Sequence, residues 1–186
     1  SATFVELVAQ HDESEISRVR LSADGSAIES VHYSSEFVPN VYMDTRLDAT
    51  IKGVQNALPD LRLFPVSRSL DSTRIVMRSY ASNKAPGYYL YDANKKSVGP
   101  ITSRYPELIE RDLSRPGIHS FEARDGLEIT AYVTLPAGLT ADTADHIPFV
   151  VSVHGGPNAR DFLRFDWETK MLAARGYGVL QIHFRG

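Results

Sequence analysis

An apolar run from Ile147 to Val153 leads straight into His154-Gly155-Gly156-Pro157, and after a stretch with helical spacing a second apolar run extends from Tyr177 to Phe184. Strand-length apolar runs flanking a helix are the pattern of a βαβ unit. Two parallel strands cannot be joined by a tight turn, so the helix between them serves as the crossover. The chain must therefore hold part of an open α/β sheet. In such sheets the loop at the carboxyl end of a strand, here the glycine loop, is where ligands bind.

The glycines in that loop have a physical use. Lacking a Cβ, Gly155 and Gly156 let the backbone approach a ligand closely, so that their N–H groups can point into a pocket. Two such donors make an oxyanion hole, and a His-Gly-Gly loop supplies one donor in lipases and esterases. The triplet alone also fits a Gly-Gly turn beside a buried histidine. Its surroundings decide between the two.

His154-Gly-Gly-Pro-Asn-Ala-Arg-Asp161, then Trp167, then Leu172-Ala-Ala-Arg-Gly-Tyr-Gly-Val-Leu-Gln-Ile-His-Phe-Arg-Gly186 resemble the start of the catalytic domain in the prolyl oligopeptidase family of serine peptidases. The acylaminoacyl peptidase and dipeptidyl aminopeptidase branch is the nearest match. The resemblance implies mixed β and α/β architecture: the last blades of a β-propeller followed by the N-terminal part of an α/β-hydrolase domain, with short peptides cleaved at their interface by a Ser-His-Asp triad. It places residues 1–117 in the propeller and an interdomain crossing, and residues 118–186 in an incomplete hydrolase domain. It makes Gly156 the backbone oxyanion donor, with Gly155 supporting the turn. Arg160 and Asp161 match the same loop. They are read either as orienting the mouth of the site or as a solvated ion pair contributing under about 1 kcal/mol.

No Gly-x-Ser-x-Gly occurs between Ser1 and Gly186. In an α/β-hydrolase the order is Ser, then Asp or Glu, then His, so the whole triad is expected outside these residues. The chain alone is then catalytically incomplete, a piece of a working hydrolase. None of His11, His32, His119, His146, His154 and His183 falls at the family's catalytic histidine. His183 stands where that branch usually has asparagine.

Net charge of −3 without a basic stripe argues against nucleic-acid partners. No apolar run approaches the roughly 20 residues of a membrane span, and Ser-Ala-Thr-Phe-Val-Glu is not a signal peptide. With no cysteine there is no disulfide framework and no thiolate metal site. Neither His-Glu-x-x-His nor a calcium loop occurs, so no metal and no cofactor is expected. Cytoplasm and periplasm are both compatible with these features.

Upstream, residues 16–33 read as a hairpin turning at Ser22-Ala-Asp-Gly-Ser26, with Gly25 supplying positive φ. A second version runs from Leu61 to Ser67, turns at Ser69-Leu-Asp-Ser72 and returns through Thr73–Tyr80. A further strand, Gly87–Asp92, ends in Ala-Asn-Lys-Lys. Spacing of roughly 45 residues suits four-stranded propeller blades, and an ordinary antiparallel sheet fits equally until the family resemblance is added. Tyr88, Tyr89 and Tyr91 are read as packing between blades. Between the hairpins, Ile51, Val54 and Leu58 have helical spacing, with Asp48 as a cap and Pro59 as the stop.

Residues 103–117 read as an interdomain crossing, and 118–136 as a hairpin with Leu127, Ile129, Ala131 and Val133 on one buried face. In the helix near 166–175, Trp167, Met171 and Ala174 are expected to face the sheet. Unpaired edges at Ser1–Tyr33 or Gly178–Phe184 are expected to drive self-association. Two other readings of the whole remain: an esterase with the same loop, and a non-catalytic propeller-containing binding protein.

Overall fold

The computed structural model describes every residue except 1–5, 13, 23, 36–37, 110, 112, 157–158 and 185–186. Pro157, Asn158, Arg185 and Gly186 of the family match, and Ser1–Val5 of the expected N-terminal edge, therefore lie outside the described residues. Among the described residues the fold is mostly β, with three sheets and few helices. The chain forms two compact units, residues 1–57 and 58–186.

In the first unit, β1 (Ile16–Leu21), β2 (Ile28–Tyr33) and β3 (Val41–Tyr42) form a three-stranded antiparallel sheet in that order. The β1–β2 turn is built as the sequence suggests, with Gly25 at φ +73°. Asp24 accepts hydrogen bonds from Ser22 Oγ at 2.6 Å, Ser26 N at 3.1 Å and Ser26 Oγ at 2.8 Å, and these hold its carboxyl down at about 2.

Helix α1 (Thr45–Ala57) follows. Its cap is Asp44, not Asp48. Asp44 Oδ1 accepts from Arg46 N at 2.9 Å and Leu47 N at 3.3 Å, the position an N-cap carboxylate needs to satisfy first-turn donors. Asp48 sits one turn later and pairs with Lys52 at 2.6 Å. The helix buries Leu47 and Val54, while Ile51 and Leu58 are half-buried.

The second unit opens with β4 (Arg62–Arg68), β5 (Arg74–Tyr80), β6 (Gly87–Asp92) and β7 (Ser97–Ser103), an antiparallel meander in chain order. Strand β7 is absent from the sequence reading because Gly99 and Pro100 interrupt its pattern. It is an edge strand, where a missing N–H is tolerated, and the register shifts where Tyr89 meets Pro100. Leu61, Leu63, Ile75 and Met77 form the core of this sheet, Met77 with no exposed surface. Tyr89 and Tyr91 are half-buried and Tyr88 is exposed, so these rings are less enclosed than the packing reading supposes. The β4–β5 turn repeats the chemistry at Asp24: Asp71 accepts from Ser69 Oγ at 2.6 Å, Thr73 N at 3.1 Å and Thr73 Oγ1 at 3.0 Å.

A 3-10 turn at Pro106–Leu108 leads to β8 (Pro116–Glu122), β9 (Glu128–Thr134), β10 (Phe149–Ser152), α2 (Trp167–Ala173) and β11 (Gly178–Ile182). These strands form a second four-stranded sheet in the order β10-β11-β9-β8. β10 and β11 are parallel, the other pairs antiparallel. Because β9 has a strand on each side and α2 packed on one face, it is buried on both faces: Ile129 and Ala131 on one, Tyr132 and Thr134 on the other. Leu127 precedes the strand and is exposed, and Val133 is only half-buried, which corrects the single-face reading.

The α2 reading is also corrected. Trp167 and Met171 are 57% and 36% exposed and Ala174 is exposed, whereas Thr169, Lys170 and Ala173 are buried. In a helix this short, two large apolar residues do not set the phase. The cap does: Asp166 accepts from Thr169 N at 2.8 Å. Lys170 lays its apolar stem against the sheet, as long basic side chains can, and its Nζ donates to Ser114 O at 2.7 Å. Burial lowers the Lys170 ammonium to about 8, opposed by the Asp166 carboxylate. The expected edge at Gly178–Phe184 is corrected as well, since β11 lies between β10 and β9 and the edges of this sheet are β10 and β8.

Candidate active site

The parallel pair brings two loops together at the carboxyl ends of β10 and β11. His154 leaves β10 and Phe184 leaves β11, and their rings stack with centroids 4.1 Å apart and planes 15° apart. His154 Nδ1 lies 2.8 Å from Gly155 O, which fixes the ring against the turn it opens. His183 N donates to Thr130 O at 3.0 Å, tying the end of β11 to β9. The His183 ring meets Tyr132 edge-on at 4.5 Å and lies 6.5 Å from His154.

Tyr132 is the anchor of this group. It is almost completely buried, pairs across the sheet with Gln181, and its hydroxyl accepts from Arg160 Nη2 at 3.3 Å. Arg160 Nε also donates to Asp161 O at 3.2 Å, and its guanidinium lies 5.5 Å from the Phe162 ring centroid. The loop that the sequence marks through Arg160 is thus pinned onto β9. The contact is made to the hydroxyl of an almost completely buried tyrosine.

Asp161 is half-buried. Burial raises its carboxyl above the usual range, against the pull of His154, His183 and a hydrogen bond from Gln181. His154 Nε2 and Asp161 Oδ2 are buried and have no hydrogen-bond partner among the described residues. Buried polar atoms are normally satisfied, and each of these two atoms has hydrogen-bonding capacity that the described residues do not use.

Gly155 and Gly156 are both exposed at the tip of the loop, and an added Cβ on Gly155 would meet no atom within 4 Å. Of the site residues marked by sequence, Gly155 and Gly156 lie exposed after β10, while Arg160 is half-buried and tied to β9 through the Tyr132 hydroxyl. Tyr132, Gln181 and Phe184 were missed as members. Tyr132 could have been found, because an aromatic with a hydroxyl on a central strand must place that hydroxyl against a partner. No group of three His, Cys, Asp or Glu able to hold a metal ion occurs among the described residues, and among them no helix is long and apolar enough to cross a membrane.

No family model matches the chain. A 125-residue stretch is 34% identical to dipeptidyl aminopeptidase BIII of Pseudoxanthomonas mexicana, covering 64% of this chain and 18% of that protein. Over 149 residues the chain is 31% identical to dipeptidyl peptidase family member 6 of Caenorhabditis elegans, covering 70% of this chain and 20% of that one. The acylaminoacyl peptidase of Pyrococcus horikoshii shares its fold with 91% of the chain at a TM-score of 0.54 and 14% identity, over 25% of its own length. The chain spans about a fifth of the length of the curated relatives it matches.

Proposed function

Because the chain belongs to the prolyl oligopeptidase family of serine peptidases, we propose that it is the part of such an enzyme that carries the oxyanion loop and the sheet beside it. The single observation that carries this reading is the placement of His154-Gly155-Gly156 at the carboxyl end of β10 in a parallel β10–α2–β11 unit. In this reading β4–β7 is a propeller blade, supported by the recurrence of the Asp24 turn at Asp71. The functional division between blade and hydrolase falls near residue 117, and β8–β11 begin the hydrolase sheet.

The reaction is acyl transfer to short peptides. A serine hydroxyl attacks the scissile carbonyl carbon, the histidine base takes its proton, and negative charge gathers on the carbonyl oxygen, where the Gly156 N–H donates to it. The amine leaves with that proton, and water then hydrolyses the acyl-enzyme. Serine, acid and histidine come from sequence outside these residues. Removing one oxyanion donor costs about a hundred- to a thousandfold in turnover. Pairing between copies along an open edge, β1 or β10, is part of the same proposal; light scattering that gives a strictly monomeric mass at high concentration refutes it.

The test is intact-mass spectrometry after incubation with a fluorophosphonate probe, on the 186-residue chain and on the longer protein that contains it. The expected result is one adduct on the longer protein and none on the chain, with hydrolysis of aminoacyl anilides by the former. An adduct on the chain itself, or activity of the longer protein on p-nitrophenyl esters alone, overturns the proposal.

A further inference from the structure

A cavity of about 330 Å³ opens where the β4–β7 sheet meets the segment before α2. This size is enough for a substrate side chain or a short peptide segment. Three arginines line it from three separate elements: Arg78 from β5, Arg104 from the end of β7 and Arg164 from the approach to α2. Among the described residues none of the three guanidinium groups has a carboxylate partner. Arg78 stacks over the Tyr80 ring at 4.9 Å and Arg164 over Phe162 at 4.7 Å, so both are held by aromatic faces with their N–H forks left for other work. The one acidic side chain in the wall, Asp166, is engaged in capping α2, and the wall stays net cationic.

The frame around these arginines is tied together by backbone bonds. Phe165 N donates to Ala81 O at 2.7 Å, and Arg104 N donates to Pro86 O at 3.1 Å. The Tyr105 and Phe165 rings meet at 5.2 Å across the seam. Arginines that converge on one cavity with no carboxylate partner among the described residues repel one another unless an anion joins them, and a planar fork is best matched by a carboxylate. The aromatic wall, ending in half-exposed Trp167, offers the apolar contact that a peptide makes and a bare inorganic anion does not.

We propose that the cavity formed by Arg78, Arg104, Arg164 and Trp167 is a subsite for a carboxylate carried by a peptide. The inference rests on the peptidase reading for its ligand class, but it concerns a place distinct from the glycine loop. It gives the enzyme a preference for acidic peptides that the glycine loop does not provide.

Trp167 is the chain's single tryptophan, so its fluorescence reports on this cavity directly and needs no catalysis. The full chain is titrated at low ionic strength with acetyl-Glu-Ala-Glu-amide, with its neutral isostere acetyl-Gln-Ala-Gln-amide, and with inorganic phosphate. Saturable change with the acidic peptide alone is expected, weakening as salt is raised. The Arg104→Gln/Arg164→Gln variant alters two exposed side chains. It should lose at least about tenfold in affinity, the factor that corresponds to 1.4 kcal/mol, and Arg104→Lys/Arg164→Lys should recover part of it.

Equal response to the acidic and neutral peptides, or phosphate binding as tightly as the acidic peptide, overturns the assignment. So does unchanged affinity in the glutamine variant with a native circular dichroism spectrum. The two readings fail separately. Binding here, with no fluorophosphonate adduct on the longer protein, refutes the peptidase reading only. Anilide hydrolysis with no discrimination in the titration refutes the subsite only.

Discussion

Lys170 is a buried cation whose cost can be read from pH alone. Its side chain is 7% exposed, burial lowers its ammonium to about 8, and an unfolded lysine titrates near 10.4. That gap, at about 1.4 kcal/mol per pH unit, amounts to about 3 kcal/mol by which the fold prefers the neutral amine. The sign follows from proton counts. Below pH 8 both states hold the proton and the full penalty is present; between about 8 and 10.4 the unfolded chain binds more protons, so stability rises with pH.

Replacing Lys170 with Met keeps the stem and removes the charge. At pH 7 the variant regains the roughly 3 kcal/mol penalty and loses about 1–3 kcal/mol because the Ser114 carbonyl forfeits its 2.7 Å donor. The expected net effect is a gain of about zero to 2 kcal/mol, in a case where removing a buried charge is usually compatible with the fold. The sharper quantity is the pH dependence. The difference between variant and wild type should move by about 3 kcal/mol toward wild type from pH 7 to pH 10.5. Urea unfolding followed by Trp167 emission, at pH 7, 8, 9, 10 and 10.5, measures it, and other titrating groups cancel in the difference. Two curves that run parallel across that range would show that Lys170 is not desolvated as described, and the packing of α2 on β9 would need revision.

Met77→Ala removes a side chain with no exposed surface from the centre of the β4–β7 sheet and should cost about 2–5 kcal/mol in urea unfolding. Asp44→Ala should cost about 1 kcal/mol through loss of the α1 cap, and Asp48→Ala, which loses only an exposed i,i+4 pair, about 0.5 kcal/mol or less; the reverse ranking would refute the cap assignment. A Cβ on Gly178 would lie 2.5 Å from the Phe149 ring, so Gly178→Ala should cost about 1–3 kcal/mol. Because Phe149 is half-exposed, Phe149→Ala should abolish most of that cost in a double-mutant cycle. Stability supplied by the Asp24 turn should be present above the ordinary carboxylate range and fade as pH falls toward about 2, a dependence that Asp24→Asn should remove from the acid limb of the unfolding curve.

The elements legible in the sequence were those whose signal is local. Asp24-Gly25 specifies its turn through a φ that glycine permits, and the apolar runs at 147–153 and 177–184 mark β10 and β11 by their strand length on either side of a helical stretch, with β11 largely buried while Phe149 and Val151 of the edge strand β10 stay exposed. The glycine loop was legible for the same reason: its residue types have few other uses side by side. What stayed hidden depended on partners distant in sequence. Strand β7 carries a glycine and a proline and exists because β6 offers it a ladder. The face of α2 is chosen by the Asp166 cap and by a carbonyl at Ser114, 56 positions away from Lys170, and neither leaves a trace in helical periodicity.

The same contrast explains why the cavity of Arg78, Arg104 and Arg164 could not be found by reading. Its three cations are separated along the chain by dozens of residues and belong to no motif, whereas His154-Gly155-Gly156 is one. A reaction that needs one local geometry at the scissile bond can encode it in a contiguous loop. Recognition of a substrate that lies across the seam between two sheets must draw on whatever each sheet presents there. Phe165 N bonding to Ala81 O ties the segment before α2 to the loop after β5, so any change that shifts this contact should alter preference for acidic peptides before it alters the chemistry at Gly156. Anilide turnover of the longer protein with neutral substrate, measured beside acidic-peptide affinity in an Ala81→Pro variant that strains the contact, separates the two effects. Loss of both in equal proportion would mean that the seam positions the glycine loop as well, and that specificity and chemistry share one frame.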